Sequence, residues 1–132
     1  MGKRFAFAIA ITLISVLAMT LSQSFAAAPE TETGEGACYS RSLIGHRTSS
    51  GQRYDPKALT ASHATIPNGT RVKVTNVENN RSVVVRINDR MSAHAGGIIM
   101  DLSQHACREL KFGPGGKGKI KLEVLDSSTA AK

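Results

Sequence analysis

The chain of 132 residues contains no tryptophan, two tyrosines and four phenylalanines, so aromatic residues make up only 5% of it. Proteins that grip nucleic acids commonly stack bases on aromatic rings, and a chain this poor in rings is a weak member of that class. Its two cysteines exclude a four-thiolate zinc centre. Without a companion motif they also argue against a redox pair. No internal repeat or heptad register is visible, which removes solenoids and coiled coils from consideration. Acidic residues are scarce as well, at 10 against 17 Lys and Arg. Long apolar runs are limited to one.

That run opens the chain. Lys3 and Arg4 precede an uncharged, mostly apolar stretch from Phe5 to about Leu21, and Ser24, Ala26, Ala27 and Ala28 follow it. A basic start, an apolar middle and small residues at the end describe a secretory signal peptide, expected here over residues 1–26 with cleavage after Ala26. An uncleaved anchor is the alternative, because the run is near the minimum for spanning a bilayer. A soluble mature protein without a stable membrane anchor, periplasmic or secreted, is the expected product. Removing residues 1–26 leaves 106 of the 132 residues, enough for one small domain. It also lowers the basic count from 17 to 15 against 10 acids, a net charge of +5. That balance favours polyanionic partners. For an exported, ring-poor chain an acidic wall polymer or anionic surface suits better than nucleic acid.

Cys38 and Cys107 both lie in the exported part, and an even count in an oxidising compartment predicts a disulfide. The loop it closes is long, worth roughly 3–4 kcal/mol in the chain-entropy model. Residues 27–35, AAPETETGE, have no apolar periodicity and are expected to form a flexible leader. The folded domain is then predicted over residues 36–125, with residues 126–132 as a tail. Within it Leu59 to Ala61 reads as a short strand. Val72, Val74 and Asn76 alternate with Arg71, Lys73 and Thr75 as in a half-buried strand, and Glu78 to Asn80 turn the chain back into Arg81–Ile87. Ile98 to Met100 forms another strand. Asp101 or Ser103 can cap a helix bearing Leu102, Ala106 and Leu110 on one face, which Gly113-Pro114 stops. Ile120, Leu122 and Val124 alternate in a last strand. The fold class is mainly β with one short helix, most economically a closed barrel that hides its strand edges.

The segment from Arg81 to Arg90, RSVVVRINDR, carries the best clue to chemistry. Its β-branched residues suit a buried strand, whereas Asn88 and Asp89 are turn formers expected to end it. A rigid strand delivering a carboxyl to a loop is a common way to build an active site. Taken alone, Asp89 is better read as a turn cap or a partner of Arg86 or Arg90.

Other blocks resolve the choice. Gly51-Gln52-Arg53-Tyr54, Leu59 to His63, Ile66 to Val72, Val74-Thr75-Asn76, Arg81 to Arg90 and Ile98 to Ser103 together resemble the RlpA (rare lipoprotein A) family. The resemblance covers about residues 36–125 and implies a six-stranded double-psi β-barrel, as in expansins. It also implies lytic cleavage of peptidoglycan glycan strands, preferentially those lacking stem peptides. Such a reaction breaks the bond from N-acetylmuramic acid to N-acetylglucosamine without water: an acid protonates the leaving oxygen and a base takes the proton of the sugar's own 6-hydroxyl. One carboxyl can do both in turn, whereas hydrolytic glycosidases usually need two.

By this resemblance Asp89 matches the family's catalytic aspartate and His63 a histidine of its site, able to orient a carboxyl, bind sugar or share a proton relay. Gln52, Tyr54 and Arg90 are the expected substrate-binding residues, and Asp101 is expected to be mainly structural. The departures fall beside the same cleft. Gln52 stands where the family has a glutamate, and an amide can bind sugar hydroxyls but cannot transfer a proton as a carboxyl does. Met91-Ser92 replaces a Gly-Pro, and Ala37-Cys38-Tyr39-Ser40 lacks the tryptophan of the family's Ser-Trp-Tyr block. No cofactor is expected. His46, His63, His94 and His105 show no metal-binding spacing. The expected partner is the peptidoglycan glycan, met by a monomer that either cleaves it or, in the alternative reading, only binds it as an expansin-like barrel.

Overall fold

The structure, a computed structural model, describes residues 30–92 and 96–126. The signal peptide, the start of the leader, His94 and the tail beyond Asp126 lie outside the described residues. Six strands form a closed barrel: β1 (Thr31–Cys38), β2 (Thr60–His63), β3 (Arg71–Asn76), β4 (Ser82–Arg90), β5 (Ile98–Leu102) and β6 (Lys117–Asp126). Around the barrel their order is β1-β5-β2-β4-β3-β6. The pairs β1·β5 and β2·β4 are parallel and the other four antiparallel. A helix, α1 (Gln104–Leu110), lies between β5 and β6 in sequence.

The alternation read from the sequence is the alternation of the wall. Val72, Val74, Val85, Ile87, Met100, Leu102, Ile120 and Leu122 are essentially fully buried and fill the barrel. Leu110 of α1 joins them, and Asn76, buried at the end of β3, donates from its Nδ2 to the Leu110 carbonyl at 2.9 Å. Ser103 caps α1, its Oγ accepting from the Ala106 N–H at 3.2 Å. The helix ends at Leu110, with Lys111 in the left-handed region at φ 49°, before the Gly113-Pro114 pair is reached.

Three sequence expectations change. Thr31 to Glu35, read as part of a flexible leader, are the first five residues of β1, paired antiparallel with Lys119 to Glu123 of β6. This strand carries no apolar alternation because neighbouring side chains fill its inner face. A Cβ on Gly34 would stand 2.7 Å from Ile99, and one on Gly36 2.9 Å from Ile120. Next, β4 does not stop at Ile87 but runs through Asn88 and Asp89 to Arg90, because β2 pairs with it past a bulge between Ala61 and Ser62. Finally β5 extends to Leu102, which places Asp101 in a strand rather than at the helix cap.

Cys38 and Cys107 form a disulfide, with Cα atoms 6.0 Å apart, that ties the end of β1 to α1. Opening it with Cys107→Ser or a reductant is expected to cost about 4 kcal/mol for a loop of this length. A domain of about this size then melts on the order of 20 °C lower. Thermal unfolding with and without reductant measures this, and an unchanged Tm would mean that the bond constrains nothing.

Candidate active site

Asp89 sits near the end of β4, half-buried, with donors on both oxygens. Its Oδ1 accepts from the backbone N–H of Ser49 at 2.9 Å and of Arg90 at 2.8 Å, and its Oδ2 accepts from the Tyr39 hydroxyl at 2.6 Å. Two of these donors are fixed by the main chain. The third is the hydroxyl of a buried side chain.

Tyr39 follows the disulfide-linked Cys38 directly, and its ring packs on Tyr54 with centroids 4.7 Å apart. Burial of the phenol and its hydrogen bond to Asp89 push the Tyr39 hydroxyl well above the ordinary tyrosine range. Sequence reading gave this residue no role in the site. The signal that marks it is its place in the Ala37-Cys38-Tyr39-Ser40 block. Tyr54, expected at the substrate, is instead 3% exposed, and its hydroxyl accepts from the Gln104 N–H at 3.1 Å. Its role is to back the Tyr39 ring.

The register adds two more groups. Ser62 on β2 stands opposite Asp89 on β4 and opposite Asp101 on β5, so Asp101, Ser62 and Asp89 form a row across three neighbouring strands. Side chains in such a row share one face of the sheet. The Ser62 hydroxyl is buried and has no hydrogen-bond partner among the described residues, although it lies close enough to the Tyr39 hydroxyl to oppose the upward shift of its proton affinity.

His63, the next residue along β2, is directed away from that row, since successive strand residues point to opposite faces. It is 4% exposed. Its Nδ1 accepts from the Thr65 and Ile66 N–H groups at 3.1 and 3.0 Å, which leaves Nε2 to donate to Glu32 Oε2 at 2.8 Å. Of the roles expected for His63, the geometry provides the orienting of a carboxyl, and that carboxyl is Glu32; among the described residues no hydrogen bond joins His63 to Asp89. Glu32 was passed over in the sequence because it fell in the supposed leader. Arg90 pairs with His63 in register, and its Nη1 donates to the carbonyls of His63 and Ile66, both at 2.8 Å. It clamps the turn after β2. Gln52 lies on an exposed loop whose Ser50 N–H donates to the Asn88 carbonyl at 3.2 Å, and its Oε1 accepts from Asn88 Nδ2 at 3.3 Å. Gln52 thus borders the site one residue from Asp89.

Known proteins share this fold. The family model of the lytic transglycolases, double-psi β-barrels, matches residues 30–124. The chain belongs to this family. Among curated lytic transglycolases, it is 46% identical over 92 residues to a probable endolytic peptidoglycan transglycosylase RlpA of Synechocystis, covering 70% of this chain and 28% of that protein. It is 43% identical over 95 residues to the endolytic peptidoglycan transglycosylase RlpA of Neisseria meningitidis, covering 72% and 39%. The chain thus spans little more than a third of these relatives at most. Among solved structures, an expansin mutant of Clavibacter michiganensis in complex with cellohexaose superposes with a TM-score of 0.58 at 18% identity, covering 74% of this chain and 51% of that one. A Streptomyces papain inhibitor gives a TM-score of 0.59 at 21% identity, covering 76% and 98%. These two likenesses concern the fold alone.

Two measurements test the placement of the site residues in this lytic transglycolase barrel. His63→Ala strands two backbone donors, one of them buried, and is expected to cost about 2 kcal/mol in a denaturant melt; a change within error would mean that its ring is not holding the turn. The unfolded chain releases a tyrosine proton near pH 10 while folded Tyr39 keeps its own, so the folded state loses stability as pH rises beyond about 10. Tyr39→Phe should flatten that alkaline decline, with a remainder from Tyr54, whose hydroxyl burial also raises. Denaturation midpoints at about pH 9 and about pH 11 read the difference.

Proposed function

We propose that this barrel is an exported, endolytic peptidoglycan lytic transglycosylase of the periplasm that cuts the bond between N-acetylmuramic acid and N-acetylglucosamine in peptide-poor glycan strands. The observation that carries the reading is the fixed orientation of Asp89, held by two backbone N–H groups and the Tyr39 hydroxyl on a strand end bordered by the Gln52 loop. Family membership supports the reaction class.

In its protonated form Asp89 gives its proton to the glycosidic oxygen as the bond to the muramic C1 breaks. The 6-hydroxyl oxygen of the same sugar then closes onto C1, and its proton leaves to a carboxylate, giving a 1,6-anhydro end. No water enters. When Asp89 carries the proton on Oδ2, the Tyr39 hydroxyl has only to rotate its hydrogen away, while the two backbone donors keep the carboxyl in place. Preorganisation of this kind lowers the cost of reaching the transition state.

Gln52 favours one competing reading, a barrel that grips wall glycan without cutting it, because an amide stands where the resemblance calls for a glutamate. The two readings separate in one assay. The folded protein incubated with peptide-free glycan strands is expected to release 1,6-anhydromuramic ends, and Asp89→Asn to reduce the rate at least 10²-fold. Saturable binding to sacculi with no released product at any pH would sink the enzyme reading and favour the binder. A Gln52→Glu variant that gained cleavage would then assign the loss to this position.

A further inference from the structure

Resting on the transglycosylase reading, we infer that Asp101 is the second reacting carboxyl of this site: it takes the proton of the 6-hydroxyl, while Asp89 serves only as the acid. The inference starts from register. Asp89 and Asp101 each stand opposite Ser62 on adjoining strands, so both project from the same face of β4, β2 and β5. Directly opposed residues on neighbouring strands have Cβ atoms about 5 Å apart, which sets the two aspartates on the order of 10 Å apart. At that spacing the carboxyls do not share a proton, and Asp101 is too remote to act as a covalent nucleophile, which requires about 5 Å between carboxyls. It leaves room for a sugar between them.

A second observation marks the interval between the two carboxyls. Ser62 Oγ is buried with no hydrogen-bond partner among the described residues, and a buried polar atom of this kind calls for a reason. The Tyr39 hydroxyl lies beside it and already donates to Asp89. In the proposed cycle the unpartnered Ser62 hydroxyl, opposite Asp101 in register and beside the Tyr39–Asp89 pair, closes the gap between the two carboxyls. In the forward step the glycosidic C–O bond breaks, its oxygen takes the Asp89 proton, O6 bonds to C1 and Asp101 takes the O6 proton. The reset moves one proton from Asp101 to Ser62, one from Ser62 to Tyr39 and one from Tyr39 to Asp89. Each hydroxyl ends as it began, and no outside reagent is consumed.

Asp101 is half-buried and has partners within the fold, so its test must separate chemistry from structure. The wild-type rate on peptide-free glycan is measured against pH. A single carboxyl acting in turn as acid and base needs only to start protonated, and activity then falls only as pH rises; separate acid and base give a bell. We expect the bell, with Asp101→Asn losing its acidic limb because no base remains to be protonated. Its kcat should fall about 10²-fold or more with KM and Tm near wild type, and Asp101→Glu should restore part of it. Ser62→Ala, which removes no charge, should lower kcat with KM unchanged and serves where Asp101→Asn does not fold. A single-limbed wild-type profile, or wild-type kcat in Asp101→Asn or in Ser62→Ala, overturns the inference while leaving the transglycosylase reading intact. A wild-type protein that releases no anhydro product overturns both.

Discussion

The parallel pairing of β2 with β4 beyond the bulge at Ala61 and Ser62 is the constraint on which the site depends. Before the bulge Ala61 meets Ile87, both wholly buried, and the two strands serve the core. Beyond it the register gains one residue on β4, so that Asn88 is passed over and Asp89 comes opposite Ser62. Without that extra residue Asn88 would stand in the row and Asp89 would be turned away from it, because a shift of one residue exchanges the faces of a strand. Bulges commonly re-aim a side chain beside a functional site, and here a carboxyl is delivered by a strand whose preceding residues are locked in the core.

The other half of the site comes from the opposite end of the chain and is held by different means. β1 contributes little apolar surface of its own, since Gly34 and Gly36 give their inward space to Ile99 and Ile120. Its main-chain pairing with β5 and β6 and the disulfide to α1 hold it instead. The disulfide falls immediately before Tyr39, and Gln104 of α1 donates from its side chain to the Tyr39 carbonyl. The helix therefore fixes the backbone of the residue whose hydroxyl meets Asp89, and through the Gln104 N–H it also holds Tyr54, the ring behind it. Covalent and hydrogen-bonded restraints converge on one phenol.

Sequence reading recovered what periodicity and local chemistry encode. The alternating valines of β3, the β-branched run of β4 and the closed β architecture were legible, and Asp89 stood out because a carboxyl followed a buried strand. Three features were not legible, each for a physical reason. β1 escaped because its inner face is lined with glycine, which leaves no apolar pattern to read, and Glu32 escaped with it. The orientation of His63 depends on which face of β2 it occupies, and its closeness in sequence to Ser62 carries no information about that. Tyr54, expected at the substrate from the resemblance, is buried behind Tyr39, with its hydroxyl taken by the start of α1.

The shortage of aromatic residues returns here with a sharper meaning. Both tyrosines of the chain are engaged in holding Asp89, one by its hydroxyl and the other by its ring, and tryptophan is absent. Neither tyrosine can lie flat under a sugar without giving up that task. Under the proposed function the glycan must therefore be held mainly through its hydroxyl and amide groups. The loop beside Asp89 has the composition for this, with Ser49, Ser50 and Gln52 exposed and Thr48 half-buried around Gly51. Polar contacts of this kind exchange hydrogen bonds with water for hydrogen bonds with sugar and return little net free energy each. Affinity on such a surface accumulates along several sugar units rather than at one, which suits a barrel that meets a long glycan chain within its length better than one that waits for a chain end.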